Sequence, residues 1–397
     1  MPHPASAPCL VLADLHITRQ TPPSVTRDLA SLFAAHPGAR VVFAGDLLDL
    51  SAELPRAARD RAIDEALGAH PETRAMLARH VDGGGELWFV GGNHDAEIGV
   101  DGFEEALGTT LGIAPSARPR VRTTPWFFRD GNVHIEHGHL YDPDNAPGHP
   151  LVAFGPSLGV HFTEEFIATT GAHKYLNAND GKPLDLFLSA FRWYGVRAPY
   201  VVYRFFCTAF SALAKSGRFY QGAGEWAAGI EAVAPFVAKA GVSRELANDV
   251  LALRATPTLA STRDTFARLY LDRVAGTFAV MGGVAALTAG QRALGGAAVS
   301  VGALLLGASW ARGHDRYGGT VSERLAASAS KIAETTGAKL VVFGHTHREA
   351  MAGVYANTGS FSFPRGAPGR PFLQIGGTRD APRAERHYVR EGVILDA

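Results

Sequence analysis

The sequence predicts an α/β fold with a large helical insertion. Three observations lead to this prediction in a chain of 397 residues. Short apolar runs bounded by glycine and aspartate alternate with helical spacing in the first third of the chain, which is typical of βαβ units with strands covered on both faces. Helical spacing dominates residues 141–336, and the strand pattern returns after residue 337.

The first third of the chain contains three predicted strands and the helices between them. The strands lie in PCLVLADLH, ARVVFAGDLLD and GELWFVGGNHD. SVTRDLASLFAAH has helical spacing, and the segment from RAARDRAID to LARHV predicts a helix that is interrupted near Pro71. TPWFFRDGNVHIEHGH predicts a hairpin with Asp130 and Gly131 at its turn. Further strands are predicted in AKLVVFGHTH, AGVYANTGSF, PFLQIGG and RHYVREGVILD.

Polar residues that can bind a metal follow five of the predicted strands. Ligand sites in open α/β sheets gather beyond the carboxyl ends of the strands. Aspartate, asparagine and histidine without cysteine suit Mn, Fe or Zn-type ions rather than a structural zinc. Two neighbouring cations need a bridging carboxylate, and Asp46, directly after Gly45, is the natural candidate. The strand-end residues are Asp14 and His16; Asp46 and Asp49; Asn93, His94 and Asp95; His137 and His139; and His345 and His347.

The order of these motifs resembles that of the calcineurin-like metallophosphoesterase superfamily. The chain contains D-L-H, G-D-L-L-D, G-N-H-D, H-G-H and G-H-T-H in that order, within residues 9–140 and 337–397. The resemblance implies a two-sheet β-sandwich flanked by helices and a centre of two divalent metal ions. It also implies an enzyme, a metal-dependent phosphoesterase that hydrolyses ester or pyrophosphate bonds.

The resemblance further implies a role for each motif residue. Asp46 would bridge two ions, which we expect to be Mn²⁺, with Fe and Zn as alternatives. His94 would protonate the leaving oxygen or stabilise charge on it, and Asp95 would orient the His94 ring. Asp49 is expected to lie behind the ligands. The other ligands would be Asp14, His16 and His347 for one ion, and Asn93, His137 and His345 for the other.

Two residues beside the ligands are candidates for contact with the substrate. Arg348 directly follows the last ligand and is suited to donate to a phosphate; the alternative is a solvated loop arginine. His139 is the second histidine of its pair, whereas the family ligand is the first, so we expect it to face the substrate or to support a ligand. Because a phosphoester is anionic and repels hydroxide, its hydrolysis needs metal ions that acidify a water and neutralise phosphoryl oxygens.

The same resemblance predicts how the chain is divided. The metallophosphoesterase core would comprise residues 1–140 and 337–397, and residues 141–336 would form an α-helical insertion. A helical cap of this kind, standing beside or over the site, typically selects the substrate. We therefore expect the insertion, more than the metal ligands, to set specificity.

Two stretches of the insertion predict contact with a membrane. Residues 191–206 interleave aromatic side chains with arginines, as membrane-interface segments do. Residues 274–311 contain two uncharged runs rich in Gly and Ala, separated by Gln291 and Arg292 and each near the roughly 20 residues that span a bilayer. The alternatives are a packed amphipathic helix or nucleobase stacking for the first stretch, and a buried hairpin for the second. The arginines that flank the second stretch are Arg268, Arg273, Arg312 and Arg316.

Composition limits the partners and the compartment. The chain has 38 Lys and Arg against 38 Asp and Glu, which removes a strong electrostatic case for nucleic acid as the main partner. Cys9 and Cys207 are the only cysteines and indicate a reducing compartment. We expect no signal peptide in MPHPASAP, and the basic flanks of residues 274–311 favour the cytoplasmic, inner face of a membrane.

The predicted function is hydrolysis of a phosphoester or pyrophosphate bond by a dinuclear metal centre, in an amphiphilic, lipid-linked substrate. The apolar, aromatic-rich insertion favours such a substrate over a small soluble ester. Within the superfamily, the chain most resembles UDP-2,3-diacylglucosamine pyrophosphatase-like members, although its insertion is longer and His94 replaces an arginine. The alternatives are a soluble phosphodiesterase or phosphatase acting on nucleotides or phosphoproteins, and a catalytically idle scaffold, which the intact ligand set disfavours.

Overall fold

A computed structural model of the protein describes residues 8–52, 62–153, 155, 157–175, 183–311, 313, 320–366, 368–378 and 380–396. The chain forms two compact units. The first, called the sheet unit, comprises Met1–Gly171, Gln221–Pro257 and Val321–Ala397. The second, called the helical unit, comprises Ala172–Tyr220 and Thr258–Thr320. Arg312 and Arg316, predicted to flank a membrane segment, lie outside the described residues.

All strands of the described residues belong to the sheet unit. They are β1 (Cys9–Leu12), β2 (Arg40–Ala44), β3 (Glu86–Val90), β4 (Val121–Thr124), β5 (Phe127–Asp130), β6 (Val133–Glu136), β7 (Leu340–Phe343), β8 (Glu349–Ala352), β9 (Tyr355–Thr358), β10 (Arg370–Thr378), β11 (Ala381–Arg390) and β12 (Val393–Asp396). The predicted hairpin turn is present, because β5 and β6 are antiparallel and Gly131 between them has a φ of 56°. RHYVREGVILD, predicted as one strand, is the end of β11, a turn at Glu391 and Gly392, and β12.

The first sheet has seven strands in the order β12-β11-β10-β1-β2-β3-β4. Strands β1 to β4 are parallel, and β10, β11 and β12 are antiparallel to their neighbours. In the parallel part, Leu12 is opposite Phe43, and Ala44 is opposite Val90. The carboxyl ends of β1, β2 and β3 therefore lie side by side at one edge, where ligands collect in such sheets.

The second sheet has five strands in the order β5-β6-β7-β9-β8. Strand β7 is parallel to both β6 and β9, although about 200 residues separate β6 from β7. The two sheets pack face to face through a shared apolar interior. Val11 and Val42 of the first sheet meet Ile135 and Val342 of the second in one buried cluster. This arrangement confirms the predicted two-sheet sandwich.

Two helices of the sheet unit, α1 (Pro23–Ala35) and α3 (Pro71–Asp82), lie where the sequence predicts helical spacing. Pro23 and Pro71 occupy first-turn positions of α1 and α3, where proline costs no backbone hydrogen bond. The helices of the two units, in chain order, are α1 (Pro23–Ala35), α2 (Ala62–Gly68), α3 (Pro71–Asp82), α4 (Phe103–Thr110), α5 (Leu158–Phe162), α6 (Ala168–Thr170), α7 (Pro183–Tyr194), α8 (Ala198–Ala214), α9 (Gly222–Ala240), α10 (Arg244–Ala252), α11 (Thr262–Arg268), α12 (Leu271–Thr288), α13 (Arg292–Ala311) and α14 (Thr320–Thr336).

One layer of helices covers the outer face of each sheet. Leu32 of α1 and Leu77 of α3 join Phe43 in the core on the first sheet. On the second sheet, Val233 of α9 and Leu325 of α14 are buried in a cluster that includes Phe343 of β7. Both sheets are therefore buried on two sides, which explains why their central strands read as continuous apolar runs.

The helical unit contains an antiparallel helix pair formed by α12 and α13. Within the described part of the chain, α13 is the one helix long and apolar enough to cross a membrane. The core helices of soluble proteins can have the same length and composition. Most of α13 is exposed, however, which a core helix would not be.

Candidate metal centre

The residues predicted to bind metal come together at the carboxyl ends of strands from both sheets. Asp14, Asp46 and Asn93 follow β1, β2 and β3 of the first sheet. His137 and His345 follow β6 and β7, which are neighbours in the second sheet. Parallel pairing within each sheet aligns these strand ends, so five separate motifs of the sequence form one buried cluster.

The backbone of this cluster is strained. Only seven non-glycine residues in the described ranges have a left-handed backbone, and five of them are predicted ligands. This conformation costs a residue with a Cβ roughly 1–2 kcal/mol. Strain of this kind persists where the surrounding structure enforces it, commonly at functional sites. The five ligands are Asp14 (φ 54°), His16 (φ 45°), Asp46 (φ 52°), His345 (φ 68°) and His347 (φ 53°).

Asp14, His16 and His347 form the first group of metal-binding atoms. The His345 backbone N–H donates to Asp14 Oδ2 at 2.9 Å, which fixes the carboxylate. The other oxygen, Oδ1, is 3.3 Å from His347 Nε2 and 3.9 Å from His16 Nε2. The two Nε2 atoms are 3.1 Å apart. Three donor atoms from motifs at opposite ends of the chain therefore converge.

Asp46, Asp14 and His137 form a second group, and Asn93 adjoins it. The His94 backbone N–H donates to Asp46 Oδ1 at 2.9 Å. Asp46 Oδ2 is 3.1 Å from His137 Nε2 and 3.9 Å from His16 Nε2, so this one oxygen lies between the two groups. Asn93 Oδ1 is 3.2 Å from His137 Nε2.

Two glycines of the motifs allow this close approach. A side chain on Gly45 would overlap the His137 ring, and a side chain on Gly92 would overlap the Asp46 carboxylate. Gly45 also has a φ of 87°, which favours glycine. The glycines that precede Asp46 and Asn93 in the sequence are therefore required by packing around the ligands.

His345 contacts a residue that sequence reasoning missed. Its Nε2 is 3.0 Å from Asp142 Oδ2, and that oxygen also accepts a hydrogen bond of 2.7 Å from Asn145 Nδ2. Asn93 Nδ2 in turn donates to Asn145 Oδ1 at 3.4 Å. The signal in the sequence was an acidic residue a few positions after the H-G-H motif, which is too common to indicate a site.

His94 is held by Asp49 and Ser51. Its Nδ1 is 2.9 Å from Asp49 Oδ1 and 2.7 Å from Ser51 Oγ. Asp49 Oδ2 is 3.3 Å from His16 Nδ1, so one carboxylate contacts two rings of the site. Burial lowers the pKa of His94, but the charges of Asp49 and Asp46 outweigh it and raise that pKa to about 10.

Asp95 has a different position from the one expected, and this corrects its predicted role. Its carboxylate accepts hydrogen bonds from the backbone N–H groups of Asp46, Leu47, Leu48 and Gly92. These bonds hold the loop after β2 against the loop after β3. Asp49, which lies behind the ligands, is the carboxylate that orients the His94 ring, because it rather than Asp95 contacts Nδ1.

The two candidates for substrate contact have contrasting surroundings. His139 is half-buried near His137 and His345, with ring-centre distances of 5.4 Å and 6.4 Å. Burial, together with the charges of those two histidines, lowers the pKa of His139 well below its usual value. Arg348 is half-buried next to the last ligand. Phe363, which sequence reasoning missed, is 36 % exposed and stacks on the His347 ring at 6.2 Å.

The electrostatics and the donor atoms fit divalent cations. Burial opposes ionisation of Asp14 and Asp46, but the neighbouring histidines, His347 for Asp14 and His137 for Asp46, lower both pKa values. Asp14 Oδ1 is buried and has no hydrogen-bond partner among the described residues. An ionised buried oxygen without a donor is costly unless a cation is near, and carboxylate, amide and imidazole donors suit first-row divalent metals.

A buried cluster of this composition at strand ends of an α/β sandwich defines a metal-dependent hydrolase. A family model described as calcineurin-like phosphoesterase matches residues 7–210, just over half of the chain. The protein therefore belongs to the calcineurin-like phosphoesterase family, and it is a metal-dependent enzyme that acts on phosphoester bonds. This confirms the predicted superfamily and fold. A comparison with curated proteins found no match.

Proposed function

We propose that the protein uses two divalent ions, Mn²⁺ in the first place, to hydrolyse a phosphoester or pyrophosphate bond in an amphiphilic, lipid-linked substrate. The proposal of two ions rests on the position of Asp46 Oδ2, which lies near both His16 Nε2 and His137 Nε2. A carboxylate shared between two groups of donors is what a bridged pair of cations requires.

The other residues divide between the two proposed ions. Bound there, the ions would neutralise phosphoryl oxygens and supply an acidified water. Asp14, His16 and His347 would hold one ion, because their donor atoms already converge. Asn93, His137 and His345 would hold the other. Asp142 would then support His345 from behind, and Arg348 and His139 would contact the phosphoryl group.

His94 is the proposed proton donor to the leaving oxygen. Its Nδ1 is held by Asp49 and Ser51, which leaves Nε2 as the nitrogen that can serve the substrate. General acids of this kind contribute about 10²–10⁴ in rate. His94→Ala should therefore retain the metal ions and lose about that factor in kcat. His173→Ala, at an exposed position of the helical unit, is the matched control and should keep full activity.

The substrate class rests on the composition of the helical unit. Its helices expose aromatic and aliphatic side chains, among them Phe191, Tyr200 and Tyr203. The sequence also shares D-L-H and G-H-T-H-R with UDP-2,3-diacylglucosamine pyrophosphatase-like enzymes. An apolar unit of this kind would be superfluous for a small soluble ester, but it would serve a substrate with a phosphate head and acyl chains.

A direct comparison of two substrates tests this proposal. Turnover of an acylated UDP-glucosamine should exceed that of its deacylated analogue at least tenfold in kcat/KM, in the presence of Mn²⁺. Metal analysis of the purified protein should find about two divalent ions per chain. Equal turnover of both substrates would exclude the lipid assignment while leaving phosphoester hydrolysis intact, and a single ion per chain would exclude the bridged centre.

A further inference from the structure

The helix pair α12–α13 of the helical unit is apolar on all of its outward sides. No charged residue occurs from residue 274 to residue 291 or from residue 293 to residue 311. Each helix is covered mainly on the side that faces the other, and the remaining positions are exposed or partly exposed. The large exposed side chains are Phe278 (67 %), Met281 (62 %), Val284 (49 %), Leu287 (40 %), Leu294 (63 %), Val301 (53 %), Leu304 (73 %), Leu305 (38 %) and Trp310 (63 %).

The contact between the two helices is made by glycines. A side chain on Gly283 would overlap the backbone of residues 295 and 299, and a side chain on Gly302 would overlap the backbone of residue 276. Gly276 and Gly295 are constrained in the same way by the opposite helix. Small residues permit this close backbone contact in membrane helix pairs, where dispersion forces rather than the hydrophobic effect drive association. The side chains of Val280, Val299 and Leu306 pack beside these glycines, whereas most of the large apolar side chains of the pair are exposed.

The dimensions of the pair match a bilayer. Helix α13 has 20 residues, a length near 30 Å at about 1.5 Å per residue. Helix α12 has 18 residues, near 27 Å in all, and its first turn contains Asp272 and Arg273, which would lie at the headgroup level. The hydrocarbon core of a bilayer is about 30 Å thick. All backbone N–H and C=O groups within such helices are paired, as a lipid environment requires.

Basic and aromatic side chains lie at the open end of the pair, where α12 begins and α13 ends. Arg273 Nε donates to Ser309 Oγ at 3.1 Å, and the guanidinium lies 4.6 Å from the centre of the Tyr270 ring. Trp310, at the same end, is 63 % exposed. Tryptophan, tyrosine and arginine are the side chains that settle at the headgroup level of a membrane.

The charge of the helical unit is also strongly positive. Its residues include thirteen Lys and Arg but five Asp and Glu, a formal charge of +8, although the whole chain is neutral. Basic residues near a membrane surface strengthen binding to anionic lipids. The unit therefore complements a negatively charged lipid surface, which a count over the entire sequence conceals.

We infer that α12 and α13 insert together into a lipid bilayer with anionic headgroups, as a hairpin whose two open ends stay on one side. A protein partner would cover one side of the pair and leave the other exposed to water. Because the apolar surface continues around the pair, only a solvent of acyl chains covers all of it. The positive end places the rest of the chain on the cytoplasmic side. The exposed aromatic residues of α7 and α8 then lie in reach of the same headgroups as an interfacial segment.

Flotation of the full-length protein with vesicles of phosphatidylcholine and phosphatidylglycerol tests the inference. The wild-type protein should float with the vesicles and remain bound after washes with high salt and with alkaline carbonate. The variant Met281→Asp/Val301→Asp places charges near the middle of the hairpin, where a charged side chain strongly opposes insertion into a membrane. It should lose the carbonate-resistant fraction at least tenfold.

Matched measurements make the outcome decisive. Met351→Asp, at an exposed methionine of the sheet unit, is the control and should float like the wild type. Hydrolysis of a soluble model phosphoester by all variants reports that the sheet unit is folded, and this readout is independent of membrane binding. The inference is overturned if the wild-type protein stays in the aqueous fraction, or if it forms an oligomer in water whose assembly depends on Met281. Equal flotation of Met281→Asp/Val301→Asp and wild type would overturn it as well.

Discussion

At the scale of single residues, the candidate site depends on three carboxylates, in each of which the two oxygens make different contacts. Asp14 and Asp46 each accept a backbone N–H with one oxygen and present the other to histidine nitrogens. Asp49 divides its two oxygens between the rings of His16 and His94. Contacts of this kind fix the tautomer and orientation of imidazoles in metal sites, both those proposed to bind metal and the His94 ring. The positions of the candidate ligands are therefore fixed by hydrogen bonds that cannot be recognised from the sequence motifs.

Asp49→Asn tests this support. The amide keeps the shape of the side chain but replaces one accepting oxygen with a donor, so it can no longer serve both rings. We expect kcat to fall by about 10–100-fold, with KM nearly unchanged and the metal content retained at saturating Mn²⁺. Steady-state kinetics and metal analysis make the measurement. The control is Asp82→Asn at the exposed end of α3, and unchanged kcat in Asp49→Asn would contradict the assignment.

At the scale of strands and helices, the sequence predicted which residues come together at the candidate site better than it predicted the loops that hold them. Apolar runs followed by Asp or His identify strand ends, since strands and their termini are local features. The left-handed backbone at Asp14 or His345 has no local signal, because it is enforced by packing between distant loops. For the same reason the predicted role of Asp95 was wrong: the backbone N–H groups that donate to its carboxylate belong to Leu47 and Leu48, which are 48 and 47 residues away in the sequence. The short strands β4 (VRTT) and β8 (EAMA) lack an apolar run that would reveal them.

A buried carboxylate beneath the second sheet offers a test of stability at this scale. Glu136 in β6 accepts hydrogen bonds from Tyr141 Oη at 2.6 Å and Trp126 Nε1 at 3.1 Å, and its Oε1 is 3.2 Å from His134 Nε2. Glu136→Leu would leave these buried donors without an acceptor. We expect a loss of about 3–5 kcal/mol in the free energy of unfolding, measured by urea denaturation. Glu105→Leu, at an exposed position of α4, should change it by less than about 0.5 kcal/mol.

Burial of His149 predicts a pH dependence of stability. Burial and then the charge of Arg254 lower the pKa of His149 to about 4, against 6.5 as its ordinary value. The unfolded chain therefore binds a proton below pH 6.5 that the folded protein excludes, so stability is full above that pH and falls as the pH drops toward 4. Between pH 7 and pH 5 this residue should cost about 1–2 kcal/mol.

The variant His149→Leu isolates that effect. It should lose less stability than the wild-type protein when the pH is lowered from 7 to 5, with urea denaturation at each pH as the measurement. The difference between the two proteins is the informative quantity, because the histidines of the metal centre titrate in both. If the two proteins lose stability equally, His149 is not held neutral by the fold.

At the scale of the whole molecule, charge is separated between the two units. The sheet unit has 25 Lys and Arg against 33 Asp and Glu, and the helical unit has the opposite excess. The predicted absence of a nucleic-acid partner was inferred from a net charge of zero, an average that hides two units of opposite sign. The acidic unit is the one that contains the candidate metal-binding cluster, and cations that bind there in the folded state would add to its stability.

Removal of metal should accordingly weaken the sheet unit. Incubation with a chelator should lower the thermal midpoint of unfolding, and Mn²⁺ at about 100 times its dissociation constant should restore roughly 2.7 kcal/mol. Differential scanning calorimetry is the measurement. Asp46→Ala removes the shared ligand, so its midpoint should not respond to either treatment. A wild-type protein that is equally stable with and without chelator would show that the cluster holds no ion in solution.

The place of β7 in the second sheet has a consequence for how the chain is made. This strand lies between β6 and β9 and is followed by His345 and His347, about 200 residues after His137. A ribosome adding 5–20 residues per second needs about 10–40 s to cover that distance. Throughout this interval the growing chain lacks His345 and His347 of the candidate metal centre, and β6 lacks the neighbouring strand β7. Protection of this edge of β6 by a chaperone, or a delay in metal delivery until release, would matter more here than for an enzyme whose ligands are made within a few seconds of one another.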